Sequence, residues 1–442
     1  MTGRREIGPQ SKRIVAEEQR HLSPGLQSFA LSAGLAMARG EGSMLFDEDG
    51  NEYIDFIAGI GVGSVGHCHP HYVESLKRQL ERLTFGSFTT ETRARFLTQL
   101  AGLTPEGLTR IQLFSGGAEA VEAALRLAKA ATGKHEVIGF WGGFHGKTGG
   151  VLGLLGSEFK HGLGPFLPGR YVSPYADCYR CPLKLRFPEC GIACAEFLRE
   201  VIRYQTGGEI SAIIVEPIQG TAGNVVPPPG FLQAVQSIAK DHNALLIADE
   251  MLSGYGRTGA MWAASHERVV PDIMTAGKGM GGGFPLSAVI STDALTNRPP
   301  WSNPSASSSS YGGNPLAAAA GLATLEILLK EDLVRNAERV GKVMLTRLQA
   351  MKEKHRCIGE VRGKGLMLGI ELVRDRQTKE PLGKDVTRAL YQECLRRGLV
   401  AMTYAPSIRI NPPLVIQEQT ALAGLAILDE ALDVVARQHG LS

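Results

Sequence analysis

Residues 243–250 read NALLIADE, a short run of mostly aliphatic side chains that ends in the carboxylates of Asp249 and Glu250. A continuous apolar run of this length predicts a strand buried in a sheet, because it is bounded by polar residues and is too short for a helix. Four further segments have the same character, namely TRIQLFS (109–115), HEVIGF (135–140), ISAIIVE (210–216) and PLSAVIS (285–291). Several strands of one large sheet are therefore expected.

Helical segments alternate with these strands. Between 115 and 135, apolar residues recur at i, i+3, i+4 and i+7 as Val121, Ala124, Leu125 and Ala128, which predicts a helix with one buried face. Such alternation is typical of an α/β protein with a mostly parallel central sheet.

The pattern changes near residue 330. A long helix is predicted at 315–330, and strands follow within GEVRGKGLMLGIELV (359–373). Leu425, Leu428, Leu432 and Val435 then mark a last helix. We place a domain boundary near residue 330 on this change of pattern.

Asp249 closes a buried strand, and an isolated buried carboxylate costs several kcal/mol, roughly, unless it is paired or hydrogen-bonded. Ligands of open α/β sheets bind beyond the carboxyl ends of the strands, where Asp249 lies. A cationic partner is therefore expected for it. A structural role, as a helix N-cap or in an ion pair with Arg257, is the alternative.

Two glycines, Gly116 and Gly117, stand between the strand at 109–115 and the helix after it. Backbone N–H groups and the helix dipole converge there, and phosphate is the anion most often bound. The segment is not a Walker A loop, because no Gly-Lys-Ser/Thr follows. An ordinary tight turn is the alternative.

Lys278 lies in TAGKGMGGGFP (275–285), among glycines that allow close approach of the backbone. Alone, it could be a solvated loop lysine. Together with the helix N-terminus and Asp249 it completes what a pyridoxal phosphate site requires: an amine that binds the aldehyde, a carboxylate that keeps the pyridine nitrogen protonated, and an anion site for the phosphate.

The chain resembles the class III (ω-amino acid type) aminotransferases, which are fold-type I pyridoxal phosphate enzymes. The resemblance runs from DEDGNEYIDFIAGIGVGSVGHCHP to SIRINPPL and includes EPIQG, ADEMLSGYGRTG, TAGKGMGGGFPLSAVI and SYGGNPLAAAAG in the family's order. It implies an N-terminal segment (1–60) that joins the small domain, a large cofactor domain (61–330) and a C-terminal small α+β domain (331–442).

The resemblance also implies pyridoxal 5'-phosphate as cofactor and a ping-pong reaction. An amino acid, ω-amino acid or amine would donate its amino group to a keto acid acceptor, pyruvate or 2-oxoglutarate. Amino-acid racemases and dialkylglycine decarboxylases occur in the same family and share the cofactor residues, so they remain the alternative.

Residue by residue, the resemblance implies Lys278 as the Schiff-base lysine and Asp249 as the partner of the pyridine nitrogen. The other cofactor contacts that it implies are Gly116, Gly117, Ala118, Phe144, His145, Glu216 and Ser310. Gly116 stands where the family usually has serine, and Phe144 would stack on the cofactor ring. Ser310 stands where the family often has a threonine that reaches the phosphate of the other subunit, which implies a homodimer with shared sites.

Three substrate contacts are implied: Arg409, Lys147 and Ile60. Arg409 would hold the substrate carboxylate, and Thr221 stands where relatives often have an acid that holds this arginine aside. Lys147 replaces an arginine that some relatives use for a distal carboxylate, and it lacks bidentate geometry. Leu252 replaces a glutamine that in some relatives contacts the cofactor hydroxyl.

Composition excludes other classes. The 442 residues carry a net charge of +3, with dispersed lysines and arginines, which argues against nucleic acid as a partner. The start, MTGRREIGPQSKR, lacks the apolar core of a secretory signal, and the longest weakly polar run (315–325) is too short for a bilayer. We expect no membrane partner and a cytoplasmic location.

GIGVGSVG (59–66) satisfies G-x-G-x-x-G with Gly61, Gly63 and Gly66, which would suggest a dinucleotide-binding oxidoreductase. Histidines and Pro70 follow it where that fingerprint requires a helix at once, so the match is weak.

Seven cysteines, an odd number without a secretory signal, are expected to be reduced thiols. Four of them form CYRCPLKLRFPECGIAC (178–194), with the spacing C-x2-C-x8-C-x3-C. That spacing resembles a set of zinc ligands. The short gap and the interleaved proline and aromatic residues favour a proline-rich loop with buried thiols, so no metal is assigned from the sequence.

Overall fold

A computed structural model describes residues 5–156 and 158–441. The predicted domain limits at residues 1 and 442, and the first four residues of the MTGRREIGPQSKR segment, lie outside them. The chain divides into two compact units. One runs from His71 to Arg335, and the other combines the residues up to Pro70 with those from Asn336 onward. The predicted boundaries after residues 60 and 330 stay a prediction.

The helices and strands follow one another in three stretches. The N-terminal stretch contains α1 (Pro9–Glu18), α2 (Ser28–Ala33), β1 (Met37–Glu41), β2 (Met44–Asp47), β3 (Glu52–Asp55) and α3 (Ala58–Gly61). The middle stretch contains α4 (Pro70–Leu80), α5 (Glu91–Ala101), β4 (Arg110–Phe114), α6 (Gly117–Thr132), β5 (Glu136–Phe140), α7 (Gly149–Leu152), β6 (Arg170–Ser173), α8 (Ala193–Gln205), β7 (Ile210–Val215), α9 (Phe231–Asp241), β8 (Leu245–Asp249), β9 (Ile273–Ala276), β10 (Ser287–Ser291), α10 (Asp293–Thr296) and α11 (Pro315–Lys330). The C-terminal stretch contains α12 (Leu333–Lys354), β11 (Ile358–Lys364), β12 (Met367–Leu372), α13 (Lys384–Arg397), β13 (Leu399–Val400), β14 (Ser407–Ile410) and α14 (Glu418–Gln438).

A seven-stranded sheet forms the centre of the unit from His71 to Arg335, in the order β4-β10-β9-β8-β7-β5-β6. Only β10 runs against its neighbours in this sheet, and the other pairs are parallel. The five strands predicted between residues 109 and 291 all lie in it, and the strands predicted within 359–373 are β11 and β12 of another sheet. Every residue of β5, β7 and β10 is buried, which explains why their sequences show no alternation of polar and apolar residues.

Helix α6 covers the sheet with the face that its spacing predicts. Val121, Ala124, Leu125 and Ala128 are almost completely buried and belong to one core cluster with residues of β7, β8 and β10. The strands β4, β8 and β9 all run in one direction, so their carboxyl ends meet at one edge of the sheet. The segments that follow these three strands therefore share that edge.

The other unit contains two small sheets. One has the order β1-β2-β3-β13, in which β13 pairs parallel to β3, and the other has the antiparallel order β11-β12-β14. The pairing of β13 with β3 joins the N-terminal and C-terminal stretches of the chain in one sheet. Helix α14 buries Leu425, Leu428, Leu432 and Val435, as their spacing predicts.

Residues 5–156 and 158–441 contain no helix with both the length and the apolar character required to cross a bilayer.

Candidate active site

Lys278 begins a short 3₁₀ turn, Lys278–Gly281, directly after β9. Its φ of 44° lies in the left-handed region, and its side chain is half-buried. The residue before the lysine is Gly277, and a side chain there would be too close to Met251, because a Cβ on Gly277 would stand 2.5 Å from the sulfur of Met251. Glycine here allows the chain to pass against Met251 just before it presents the lysine.

Asp249, the last residue of β8, is 2% exposed and accepts three hydrogen bonds. Its Oδ2 lies 2.6 Å from Nδ1 of His145, which is also buried. Its Oδ1 accepts from the hydroxyl of Thr275 at 3.0 Å and from the backbone N–H of Met251 at 3.2 Å. Thr275 is the residue opposite Asp249 in the pairing of β8 with β9. The partner expected for the buried carboxylate is therefore an imidazole.

The electrostatics of this pair favour two charged groups. Burial alone would raise the pKa of Asp249, but the hydrogen bond and charge of His145 and the charge of Lys278 hold that pKa below its ordinary value. Burial alone would lower the pKa of His145, and the adjacent Asp249 carboxylate raises it instead. The carboxylate therefore stays ionised, within electrostatic reach of Lys278, and it favours the protonated form of His145.

Glu216 fixes the segment that carries His145. Its two carboxylate oxygens accept from the backbone N–H of Phe144 at 2.8 Å and of Gly220 at 3.0 Å. Burial raises the pKa of Glu216. The ring of Phe144 is half-buried and meets Phe159 edge to face, with 5.9 Å between the ring centroids.

The N-terminus of α6 lies at the same edge. Oε2 of Glu119 accepts from the N–H groups of Ser115 (3.2 Å) and Gly116 (3.4 Å), and the hydroxyl of Ser287 donates to the carbonyl of Gly116 at 2.9 Å. The N–H groups of the following turn, which begins with Gly117 and Ala118, have no acceptor within the helix. Groups of this kind are able to hold an anion.

Met251 connects the helix end to the lysine. A Cβ on Gly117 would stand 3.3 Å from its sulfur, and Gly277 faces the same sulfur. The segment with Phe144 and His145 reaches the helix end as well, since a Cβ on Gly146 would collide with Ala118. The N-terminus of α6, Asp249 and Lys278 therefore surround one position at the edge of the sheet.

Comparison with known proteins identifies the family. Residues 30–432 match the family model described as aminotransferase class-III. The chain belongs to the class III aminotransferases.

Relatives of this aminotransferase carry several activities. An acetylornithine aminotransferase from Methanopyrus kandleri is 38% identical over 401 residues, which are 90% of this chain and 94% of the relative. A leucine/methionine racemase from Thermococcus litoralis is 34% identical over 406 residues, 90% of this chain and 91% of the relative. A solved amine transaminase from an uncultivated Pseudomonas species, in its PLP-bound form, is 30% identical with a TM-score of 0.87, over 95% of this chain and 98% of that one.

These comparisons confirm the fold-type I architecture, the dependence on pyridoxal phosphate and the transfer of an amino group to a keto acid. The side chains of this aminotransferase fit that cofactor. Asp249 is a buried, ionised carboxylate, Lys278 supplies an amine within its electrostatic reach, and the first N–H groups of α6 have no acceptor within the helix. The donor set is the one that an aldehyde, a pyridine nitrogen and a phosphate require.

The remaining predicted residues of the aminotransferase are distributed over both units. Ser310 is exposed in the segment before α11, and Lys147 is exposed with its Nζ 4.5 Å from the ring centroid of Phe159. Arg409 lies on β14 and Ile60 in α3 with a φ of 68°, both in the unit that contains the two chain ends. Leu252 is buried against Gly220.

Sequence reasoning missed Met251, Thr275 and Ser287 as supporting residues. Thr275 could be found only from the register of β8 and β9, and Met251 only from its contacts with two distant glycines. No local pattern in the sequence carries either kind of information.

Proposed function

We propose that this enzyme transfers amino groups between substrates that carry a carboxylate, with Lys278 and Asp249 as its catalytic residues. The donor is an α-amino or ω-amino acid and the acceptor is pyruvate or 2-oxoglutarate. The observation that carries the proposal is the buried pair of Asp249 and His145, with 2.6 Å between Oδ2 and Nδ1, within electrostatic reach of Lys278.

Lys278 has two tasks in this proposal. Its amine would hold the cofactor covalently and, once the substrate amine has displaced it, would carry the proton between the substrate Cα and the cofactor. A positioned general base of this kind contributes roughly 10²–10⁴-fold to the rate. The left-handed turn at Lys278 and the missing side chain of Gly277 set the starting position of the lysine side chain.

Asp249 would keep the ring nitrogen of the cofactor protonated, and the bound cofactor supplies the electron sink for cleavage at Cα. An ionised carboxylate is required for this task, and His145 and Lys278 hold the pKa of Asp249 low despite complete burial. His145 and Thr275 also fix the direction of the carboxylate. They are positioning residues.

The N–H groups of Gly117 and Ala118 would bind the phosphate beside Gly116, whose N–H already donates to Glu119, and Phe144 would stack on the ring. Glu216 positions Phe144 through its backbone N–H. Ser310 would donate its hydroxyl to the phosphate of a partner subunit, so the proposal includes a homodimer with shared sites. It also includes a cytoplasmic location.

Arg409 would clamp the substrate carboxylate, because a guanidinium offers two parallel donors to it. Thr221 carries no charge to hold Arg409 aside. Lys147 and Ile60 would contact the rest of the substrate. Lys147 already lies near the rings of Phe159 and Phe144, so a distal carboxylate would compete with these cation–π contacts.

Racemisation is the second candidate, and the 34% identical leucine/methionine racemase is the observation that favours it. Both reactions need the same lysine and the same carboxylate. They differ in where the proton returns, since a racemase returns it to the opposite face of Cα.

A panel of amino donors tests the proposal. Each donor is incubated with the holoenzyme and pyruvate or 2-oxoglutarate, and the keto product and the optical purity of the remaining donor are both measured. The expected result is keto product in proportion to acceptor consumed, with unchanged optical purity. Loss of optical purity without keto product would overturn the proposal in favour of racemisation, and Lys278→Ala provides the inactive control for both readouts.

A further inference from the structure

The four clustered cysteines lie between β6 and the first turn of α8, far along the chain from Lys278. Cys178, Cys181, Cys190 and Cys194 all line one small cavity of about 10 Å³. A cavity of this size accommodates about one atom. The four cysteines therefore share one space.

The backbone between the cysteines contains two hydrogen-bonded turns. The N–H of Lys184 donates to the carbonyl of Cys181 at 3.0 Å, and that of Cys190 donates to Arg186 at 2.8 Å. Lys184 and Ile192 have φ of 57° and 61°. The left-handed region is costly for a β-branched residue such as Ile192. The chain holds this conformation directly between Cys190 and Cys194.

Apart from the four thiols and the carboxylate of Asp177, the cavity is lined mainly by apolar side chains. Arg180, Lys184 and Arg186 belong to the same stretch of sequence but do not line the cavity. Thiolate is the ligand that selects zinc over magnesium or calcium.

We propose that Cys178, Cys181, Cys190 and Cys194 together bind one Zn²⁺ in a structural, tetrahedral site. On binding, each thiol loses its proton to solvent and its sulfur donates an electron pair to the metal, with no change of oxidation state. Because four protein ligands fill the coordination sphere, the ion has no open position for catalysis. Its effect is to tie the loop at 178–190 to α8, whose Cys194 belongs to the core beside β5 and β7.

The sulfurs must draw together to form this site. Zn–S bonds of about 2.3 Å place tetrahedral sulfurs about 3.8 Å apart, and rotation about χ1 is the movement available to each cysteine. A second candidate for a metal site in the described residues is formed by His355, Asp429 and Asp433, whose ligand atoms already lie within 4.8 Å of one another.

That histidine and aspartate group is less suited to a metal than the thiols. Lys354 donates to Asp429 at 2.8 Å and to Asp433 at 2.6 Å, and Arg347 donates to Asp429 at 2.8 Å. The negative charge of the aspartates is therefore already offset. A metal ion would have to displace these ion pairs, whereas the thiols lose only protons.

The test begins with the metal content of the wild-type holoenzyme. The protein is expressed with added zinc, purified without a histidine tag or chelator under a phosphine reductant, and analysed by plasma mass spectrometry. The expected result is about one zinc per chain. Cys181→Ser and Cys190→Ser should each reduce it to about zero, whereas Cys68→Ser, which changes an exposed cysteine outside the cluster, should retain the metal.

Two measurements on the wild-type protein keep the proposal testable if the cluster variants do not fold. Cobalt exchanged for zinc should produce the visible ligand-field bands of a tetrahedral thiolate site, and a mercurial reagent that blocks the thiols should release the metal. Wild-type protein without zinc, cobalt bands that lack thiolate character, or unreduced peptides with disulfides among the four cysteines would each overturn the proposal. Amino transfer is not the readout, so failure of this site leaves the proposed function untouched.

Discussion

The buried carboxylate of Asp249 has an ionisable partner, His145, and a neutral partner, Thr275. The contribution of each partner to stability can therefore be compared at one carboxylate. His145→Asn removes the imidazole whose Nδ1 lies 2.6 Å from Oδ2 and whose protonated form the carboxylate favours, and Thr275→Val removes the hydroxyl that lies 3.0 Å from Oδ1. Breaking a buried ion pair costs about 3–5 kcal/mol, because a charge is left without its partner. Removing a neutral hydrogen bond costs about 0.5–1.5 kcal/mol. His145→Asn should therefore be the more destabilising change.

The assay is the Tm of the holoenzyme at saturating cofactor, measured for both variants by calorimetry. At about 2–4 °C per kcal/mol for a unit of this size, His145→Asn should lower the Tm by about 6–20 °C and Thr275→Val by about 1–6 °C. Equal shifts would refute the reasoning, because they would mean that the charge of His145 contributes nothing beyond one hydrogen bond.

The difference between wild type and His145→Asn should also depend on pH. The folded protein raises the pKa of His145, so its contribution is complete below the unfolded value of about 6.5 and is lost as the pH rises through the folded value. The pKa of Asp249 is lowered, so its contribution is present above about 3.9 and is lost as the pH falls through the folded value. The two Tm curves should lie furthest apart between these limits. A gap that widens steadily above the folded pKa of His145 would contradict the ionic pair.

Three further predictions concern the catalytic and substrate residues. Lys278→Ala should abolish amino transfer while the protein still folds and holds the cofactor without a covalent bond. Borohydride reduction of the wild type, followed by peptide mapping, should label Lys278, and a label on another residue would rule out Lys278 as the Schiff-base lysine. Asp249→Asn should lower kcat on the order of 10²–10³-fold, and a near-normal rate would make Asp249 a structural residue only. Arg409→Ala should lower kcat/KM for carboxylate donors by about 10–150-fold, from a charge-assisted pair of roughly 1.5–3 kcal/mol. The rate for simple amines should fall much less. Both kinds of donor are compared in the half-reaction with donor alone, which is followed by the visible absorbance of the cofactor. An equal fall in rate for both would exclude Arg409 as the carboxylate clamp.

Local patterns in the sequence were sufficient for the elements that position the site. The apolar run at 245–248 predicts β8, and the spacing of Val121, Ala124, Leu125 and Ala128 predicts the buried face of α6. Both patterns arise because each element contacts the core through its own neighbouring residues. The chemistry of Asp249 was also predictable, since a carboxylate at the end of a buried strand needs a partner.

The identity of that partner was not predictable by the same means. His145 is 104 residues from Asp249 in the chain. Glu216 accepts a hydrogen bond from the N–H of Phe144, which is 72 residues away in the chain. Such contacts depend on the order of the strands in the sheet, which determines which loops meet at an edge. Hydrophobic spacing predicts that a strand forms but does not predict which strands lie beside it in the sheet. For this reason the resemblance to a family was needed to suggest His145 and Glu216.

Met251 explains why two glycines far apart in the sequence belong to one site. A side chain on Gly277 would press on its sulfur at 2.5 Å and a side chain on Gly117 at 3.3 Å. Met251 also donates its backbone N–H to Asp249. One residue that neither binds an anion nor moves a proton thus sets the spacing between the helix end, the carboxylate and the lysine. A methionine suits this position because its unbranched, polarisable side chain fills irregular space, and a side chain at Gly277 would first have to displace the sulfur of this methionine.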